Sequence, residues 1–247
     1  MVGKLNGSIF ALEKRKRVTN NIYKQLKLFK KMGQYYRGTI LNKNYKKVKQ
    51  PVAFSVDTWS FDNGAKLMEH SWVGNHYVEV FVNLLAGKFY DSRFVWAGDY
   101  AEEKFNGSNL YHLASDKNII EESLKQIDNL VEVPNRWDGG THYDLKDVYI
   151  EGKPYKYIIN FSKRQYVEIP EDTDSNNYED WRVHPLPLLC CESNGLGSGD
   201  YFSSNNKDLV GKWAYDRIGI GNEIPEGFKP LKFDQVDEKC EKIIFKE

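Results

Sequence analysis

Ile40-Leu41-Asn42, with Lys46-Lys47 and Pro51 behind it, is the stretch that decides the expected fold, because a similar stretch occurs later in the chain. The second stretch is Ile158-Ile159-Asn160, with Lys163-Arg164 and Pro170 behind it. Each copy ends on a Trp-Ala-x-Asp element, at Trp96–Asp99 and at Trp213–Asp216. Internal repetition of this kind predicts two similar half-units, related by a pseudo-twofold axis, with a cleft between them.

The residue pattern around these stretches predicts an α+β fold with an antiparallel-rich mixed sheet. Strands are expected at 35–42, in a second segment ending at Pro51, at 94–96, in a hairpin over 148–159, and in the second copy up to Pro170. Helices are expected over 19–31, over 66–86 with a break at Gly74-Asn75, and over 118–131 with Asn118 as its cap. The apolar run from Leu186 to Cys191 predicts a buried strand.

The expected organisation has four segments. Residues 1–31 form a basic N-terminal extension, and Met32 is a candidate alternative start. Residues 32–117 form the first half-unit, 118–147 a connecting helix and turn, and 148–247 the second half-unit, and the halves are compatible with one compact domain.

Charge is distributed unevenly along the chain. Residues 1–31 hold nine Lys or Arg and one acidic residue, Glu13, while the rest of the chain is acidic by the same margin. Because phosphate contacts need clustered basic residues, nucleic acid is disfavoured as a partner except through residues 1–31. The chain has no apolar run long enough to predict a membrane span.

The three cysteines do not form a disulfide framework or a thiolate zinc motif. Cys190 and Cys191 are adjacent, and Cys240 is distant from both. Reduced thiols in a cytoplasmic protein are the simplest interpretation. Glu69, His70 and His76 are the only tight group of metal-ligand types, but their spacing fits no zinc motif. We therefore expect surface or capping histidines and no metal site, and the sequence indicates no particular cofactor.

The glycine-rich segment after Glu192 is the best candidate ligand site. Three glycines at alternate positions let a backbone approach a ligand closely and present free N–H groups. The segment matches neither a P-loop nor a dinucleotide fingerprint, and the alternative is a purely structural loop. Its candidate binding residues are Asn194, Gly195, Gly197, Gly199 and Asp200.

The Trp-Ala-x-Asp elements supply the remaining candidates. We expect Asp99 and Asp216 each to follow a buried strand, where clefts gain polar groups. Arg217, beside Asp216, is suited to clamping an anion because a guanidinium binds phosphate or carboxylate through two N–H groups. The alternative is a turn or helix cap in each copy, with the tryptophans in the core.

Several of these motifs resemble a group of uncharacterised bacterial and phage proteins. The shared features are the Met32-Gly33-Gln34-Tyr35-Tyr36 start, the glycine segment Asn194–Asp200, and the two Trp-Ala-x-Asp elements. Three positions depart from the group: Leu196 replaces a common basic residue, Ser198 replaces a glycine, and Tyr215 replaces the glycine of Trp-Ala-Gly-Asp. The resemblance implies a real domain and no particular reaction.

Three functions remain open at this stage. The first is binding of a small anionic or nucleotide-like ligand in the cleft between the halves, as a sequestering or inhibitory protein. The second is a hydrolase or transferase with Glu192 or Asp200 as general base. The third is a protein-interaction module with exposed aromatic residues such as Trp72, Tyr100 and Tyr201. The sequence does not decide whether the protein is an enzyme.

Overall fold

The computed structural model describes residues 34–105, 107–134, 140–146, 154–171, 182–192 and 206–234. The predicted helix over 19–31 and most of the predicted turn around Gly152 lie outside these ranges. Residues 34–247 group into one unit. The strands are β1 (Tyr36–Leu41), β2 (Val52–Ser55), β3 (Ser92–Gly98), β4 (Leu130–Pro134), β5 (Thr141–Leu145), β6 (Tyr157–Asn160), β7 (Gln165–Glu168), β8 (Arg217–Gly221) and β9 (Lys229–Pro230).

A seven-stranded, mostly antiparallel sheet forms the centre of the described fold. Its strand order is β2-β1-β3-β8-β6-β7-β9, and β4 pairs with β5 in a separate hairpin. Within the large sheet, β9 runs parallel to β7 and every other neighbouring pair is antiparallel. The predicted α+β class and the antiparallel-rich mixed sheet are therefore confirmed. In the middle of the sheet β3 pairs with β8, so the earlier strands (β1–β3) meet the later strands (β6–β9) there.

The helices lie between these strands. They are α1 (Leu67–His70), α2 (His76–Ala86), α3 (Leu110–Ala114), α4 (Lys117–Leu124) and α5 (Pro185–Cys190). The predicted break at Gly74-Asn75 separates α1 from α2 because the Asn75 side chain accepts hydrogen bonds from Tyr77 N and Val78 N and caps α2. Among the described residues, every helix is too short or too polar to cross a bilayer.

Strand β3 is buried on both faces, and its alternation divides the core into two clusters. Phe94 and Trp96 belong to the larger cluster under α2, while Val95 and Ala97 join α3 on the other face. Gly38 on β1 lets α2 approach closely, since a Cβ there would lie 2.6 Å from the Phe81 ring. A strand buried on both faces has a continuous apolar sequence, and Phe94–Ala97 has that sequence.

Three predicted elements were wrong. The second strand follows Pro51 instead of ending there: Asn42 Nδ2 donates to the Gln50 and Val52 carbonyls and holds the lysine-rich segment in turns. The helix predicted from Asn118 begins earlier, because Asp116 accepts from Asn118 N. It also ends at Leu124 instead of reaching 131, because the chain turns through Asn129, which has a left-handed φ of 59°, and begins β4 at Leu130.

The third wrong element is the predicted buried strand at Leu186–Cys191, which is helix α5. Pro185 stands in its first turn, where a missing N–H costs nothing. His184 Nδ1 accepts from Leu186 N at 3.2 Å and caps the helix. Every residue of α5 is buried, so its apolar run has no amphipathic period and cannot be distinguished from a buried strand by sequence.

Candidate functional site

The starts of β3 and β8 meet at the centre of the sheet and form the floor of a groove. Phe94 N donates to Asp216 O at 3.0 Å, and Tyr215 N donates to Phe94 O at 2.9 Å. Asp91 and Tyr215, which precede the two strands, both adopt left-handed φ angles, 60° and 66°. For a tyrosine this conformation is uncommon. The turns before β3 and β8 therefore place side chains that are distant in the sequence around one groove.

The groove beside this junction has a volume of about 530 Å³ and a predominantly basic lining. Three cationic side chains, Lys43, Arg93 and Arg217, line it together with one carboxylate, Asp91. The lining is completed by Leu41, Tyr90 and Ser92. An anionic ligand would lower the repulsion between these cations.

Arg93 is the half-buried cation of the groove, and none of the described carboxylates pairs with it. Its Nη1 donates to the Tyr215 carbonyl at 2.8 Å, and its guanidinium lies 5.8 Å from the centre of the Tyr45 ring. The side chain is half-buried, and no carboxylate of the described residues lies within ion-pair distance of it. A partly buried charge without a partner is costly, so this guanidinium is an energetically favourable place for an anion.

The predicted residues Asp216 and Arg217 lie at this junction, but each already has a partner. Arg217 Nε donates to Asp91 Oδ1 at 2.8 Å, and this pair forms one wall of the groove. The Asp216 carboxylate accepts from Lys163 Nζ and, at 2.8 Å, from Asn160 Nδ2. Contrary to the prediction, Asp216 precedes a strand instead of following one, because β8 begins at Arg217.

Asp99 lies at the opposite end of β3, where it follows the strand as predicted. Its Oδ1 accepts from Tyr35 N at 3.0 Å, and burial raises the pKa of its carboxyl. Seven residues of β3 separate the two ends of the strand by roughly 20 Å. The structure therefore does not bring Asp99 together with Asp216 and Arg217.

Glu192 is buried near the Asp99 end, directly before the glycine-rich segment. It is 7% exposed, and burial raises the pKa of its carboxyl. Oε1 accepts from the Tyr215 hydroxyl, and Oε2 accepts from Gly98 N at 3.3 Å. The Tyr215 ring is stacked on Tyr45, with centroids 6.3 Å apart, so it connects the groove to Glu192.

The glycine-rich segment itself lies outside the described residues. The predictions for Asn194, Gly195, Gly197, Gly199 and Asp200 therefore stay predictions. The same is true of Tyr201 and Cys240. Cys190 and Cys191 are free thiols, and both are fully buried.

The predicted surface role of the histidines is wrong for His70. It is fully buried, and Trp96 Nε1 donates to its Nε2 at 2.7 Å. An indole nitrogen only donates, so His70 Nδ1 carries the proton and donates to the Gly64 carbonyl at 3.0 Å. Burial lowers the pKa of His70 to about 4. The His76 ring contacts the Asp144 carboxylate, with 2.8 Å between Nδ1 and Oδ1. The described residues contain no group of three or more His, Cys, Asp or Glu side chains that could hold a metal ion.

Sequence reasoning missed three residues that line the groove, Lys43, Tyr90 and Arg93, and also Tyr45, whose ring lies beside the Arg93 guanidinium. One signal was available for Arg93, because it is the only charged residue in a strand of otherwise apolar or small side chains. The groove combines turns that are distant in sequence, so the remaining residues had no local signal.

Comparisons with known proteins provide no relative from which this site could be interpreted. No protein-family model, no curated protein and no solved structure matches the chain. The resemblance to bacterial and phage proteins therefore stays a prediction, and any functional proposal rests on the geometry described above.

Proposed function

We propose that the protein binds a small anionic ligand in the groove where β3 and β8 begin. The observation that carries this proposal is Arg93, a half-buried guanidinium that no carboxylate of the described residues neutralises. Lys43 adds a second cation, and no carboxylate of the described residues pairs with it either. Arg217 adds a guanidinium that is fixed by Asp91. Sequestration of a signalling molecule, or inhibition of a host factor, is the use that the phage-like resemblance suggests.

The chemistry of Arg93 favours a phosphate or carboxylate. Its Nη1 is engaged with the Tyr215 carbonyl, and the Tyr45 ring supports the guanidinium plane. None of the described residues accepts a hydrogen bond from its other N–H groups, which suit an incoming oxyanion. Charge-assisted bonds of this type are the stronger hydrogen bonds in proteins. Asp216 has a supporting role in this proposal, since it binds Lys163 and Asn160 instead of the ligand.

We further propose that the groove lies between two duplicated half-units. In each half, a hairpin is followed by a third strand that pairs with the first strand of that hairpin: β3 pairs with β1, and β8 pairs with β6. Read outward, β3-β1-β2 on one side corresponds to β8-β6-β7 on the other, and β9 is an additional edge strand of the second side. The unequal positions of the two Trp-Ala-x-Asp elements count against a simple copy.

Titration calorimetry with inorganic phosphate and pyrophosphate tests the anion site. Arg93→Gln should weaken binding by about tenfold or more, because a hydrogen bond to a charged group is worth about 1.5–3 kcal/mol. Arg164→Gln is the matched control, since this exposed arginine also lies over an aromatic ring, Phe228, and does not line the groove. Equal affinities for the parent and Arg93→Gln, at matched thermal stability, would overturn the proposal.

A second candidate function is catalysis with Glu192 as general base. The observation that favours it is the raised pKa of this buried carboxyl, because general bases are often tuned upward in this way. Glu192 does not line the groove, so this function needs a substrate that reaches Glu192 and Tyr215. Glu192→Gln should then abolish turnover of that substrate and leave its affinity unchanged. Loss of affinity and turnover together would instead mean that Glu192 only positions Tyr215.

The protein-interaction alternative loses one of its residues. Trp72 is 7% exposed and belongs to the main core cluster. It therefore cannot form an exposed aromatic patch with Tyr100.

A further inference from the structure

We infer that the anion bound in the groove is the phosphate of a phosphomonoester of mononucleotide size. This ligand also carries an aromatic ring, which stacks on Tyr90. The inference deepens the proposed anion site and rests on it. Arg93 and Lys43 would take the phosphate, and Tyr90 would take the flat ring. The groove volume of about 530 Å³ suits one such ligand, because small-molecule sites span roughly 300–1,000 Å³.

Tyr90 is an exposed aromatic ring that the fold holds in a fixed position. It is 45% exposed, yet its ring packs against β8. A Cβ on Gly219 would lie 2.8 Å from Tyr90 Cε2 and 2.8 Å from Phe161 Cε2, so both rings cover this glycine. The Tyr90 and Phe161 rings contact edge to face, with centroids 5.3 Å apart. One side of Tyr90 is thus supported, and the exposed part lines the groove.

The position of this ring beside the cations is what selects the ligand class. Tyr90 directly precedes Asp91, whose carboxylate holds Arg217, and it is three residues from Arg93. A plain inorganic anion would use the cations and leave the supported ring in water. A nucleotide uses both, since bases stack on aromatic side chains regardless of base identity, and guanidinium groups bind phosphate through paired N–H groups.

Titration calorimetry of the full chain with adenosine monophosphate and ribose 5-phosphate tests the inference, because the two probes share a phosphate and differ by the ring. The parent should bind adenosine monophosphate about tenfold or more tightly than ribose 5-phosphate. In Tyr90→Leu this ratio should fall to about one. Tyr90→Phe keeps the ring and should keep the ratio.

Trp59→Leu is the control for loss of an exposed aromatic side chain, because Trp59 is 70% exposed and does not line the groove. It should retain the parent ratio. Cytidine monophosphate should bind within a few fold of adenosine monophosphate if stacking, and not recognition of base edges, provides the affinity.

The outcomes separate this inference from the anion site itself. If both probes bind equally to the parent, or if Tyr90→Leu keeps the preference, the ring inference is overturned and the anion site stands. If neither probe nor inorganic phosphate binds, both proposals fail. If the preference exists and disappears in Tyr90→Leu alone, Tyr90 is the stacking surface.

Discussion

The elements Trp96–Asp99 and Trp213–Asp216 share three of four residue types, but the first lies at the end of β3 and the second lies before β8. Both tryptophans are fully buried. The Trp96 indole donates to the buried His70, whereas the Trp213 indole donates to Gln165 Oε1 at 3.2 Å, on a half-buried side chain. The similar sequences therefore bury both tryptophans completely, but the two indole N–H groups have different polar environments.

The aspartates of the two elements differ in the same way. Asp99 accepts a backbone N–H and has a raised pKa because of burial. Asp216 is bound by Lys163 and Asn160. Short sequence repeats thus fix which residues are available at a strand end. The strand pairing decides which partners those residues meet.

The largest expected difference between the two elements is in their response to acid. His70 is neutral in the folded state, with a pKa lowered by burial from 6.5 to about 4. The contribution of His70 to the free energy of unfolding is fully present above pH 6.5. It decreases as the pH falls towards 4, because only the unfolded chain takes up the proton in this window. The loss from His70 should be about 3 kcal/mol, measured by urea unfolding between pH 7 and 4.

His70→Asn should flatten this pH dependence, because the substituted side chain does not titrate in this range. His184 contributes in the same direction, since burial lowers its pKa to about 3. Glu192 and Asp99 act in the opposite direction, because their raised pKa values give stability that is lost as the pH rises. If the pH dependence of the unfolding free energy were unchanged in His70→Asn, His70 would not be the buried, neutral acceptor of the Trp96 indole N–H.

Replacement of each tryptophan by phenylalanine should have the next largest effect. The smaller ring should cost about 1–2 kcal/mol at either site. Trp96→Phe should cost about 1–3 kcal/mol more, because it leaves the buried His70 Nε2 without a donor. Gln165 is half-buried, so in Trp213→Phe its amide can turn to water. Chemical unfolding at pH 7 measures both, and equal costs would remove the distinction between the elements.

The smallest expected effect concerns backbone strain at Tyr215, the third residue of the second element. Tyr215 has a φ of 66°, where a side chain costs about 1–2 kcal/mol. Tyr215→Gly should therefore be more stable than Tyr215→Ala by about 1 kcal/mol, although glycine is usually the less stable of the two in regular structure. Differential scanning calorimetry of the two variants decides this, and a more stable alanine variant would rule out strain at Tyr215.

Gly98→Ala is the matched change in the first element, where crowding replaces strain as the cause. A Cβ on Gly98 would lie 2.1 Å from the buried Gln34 Nε2. We expect destabilisation by about 1–3 kcal/mol from overpacking.

Part of the site was predictable from residue types alone. Arg217 and Asp216 were predicted, and they lie at the junction of β3 and β8. Glu192 was predicted as a candidate base and is buried beside Gly98 and Tyr215. Arg93 and Tyr90 were not predicted, because their importance comes from neighbours more than 100 residues away in the sequence.

The sequence by itself determined the α+β class, the antiparallel-rich character of the sheet and the burial of Phe94–Ala97, because alternation, turn residues and apolar runs act over a few neighbouring residues. Only the tertiary structure decided that Leu186–Cys190 is helical, that His70 is neutral and that Arg93 has no carboxylate partner within the described part of the chain. Each of these properties depends on desolvation and on partners contributed by distant strands, and local sequence does not encode either one.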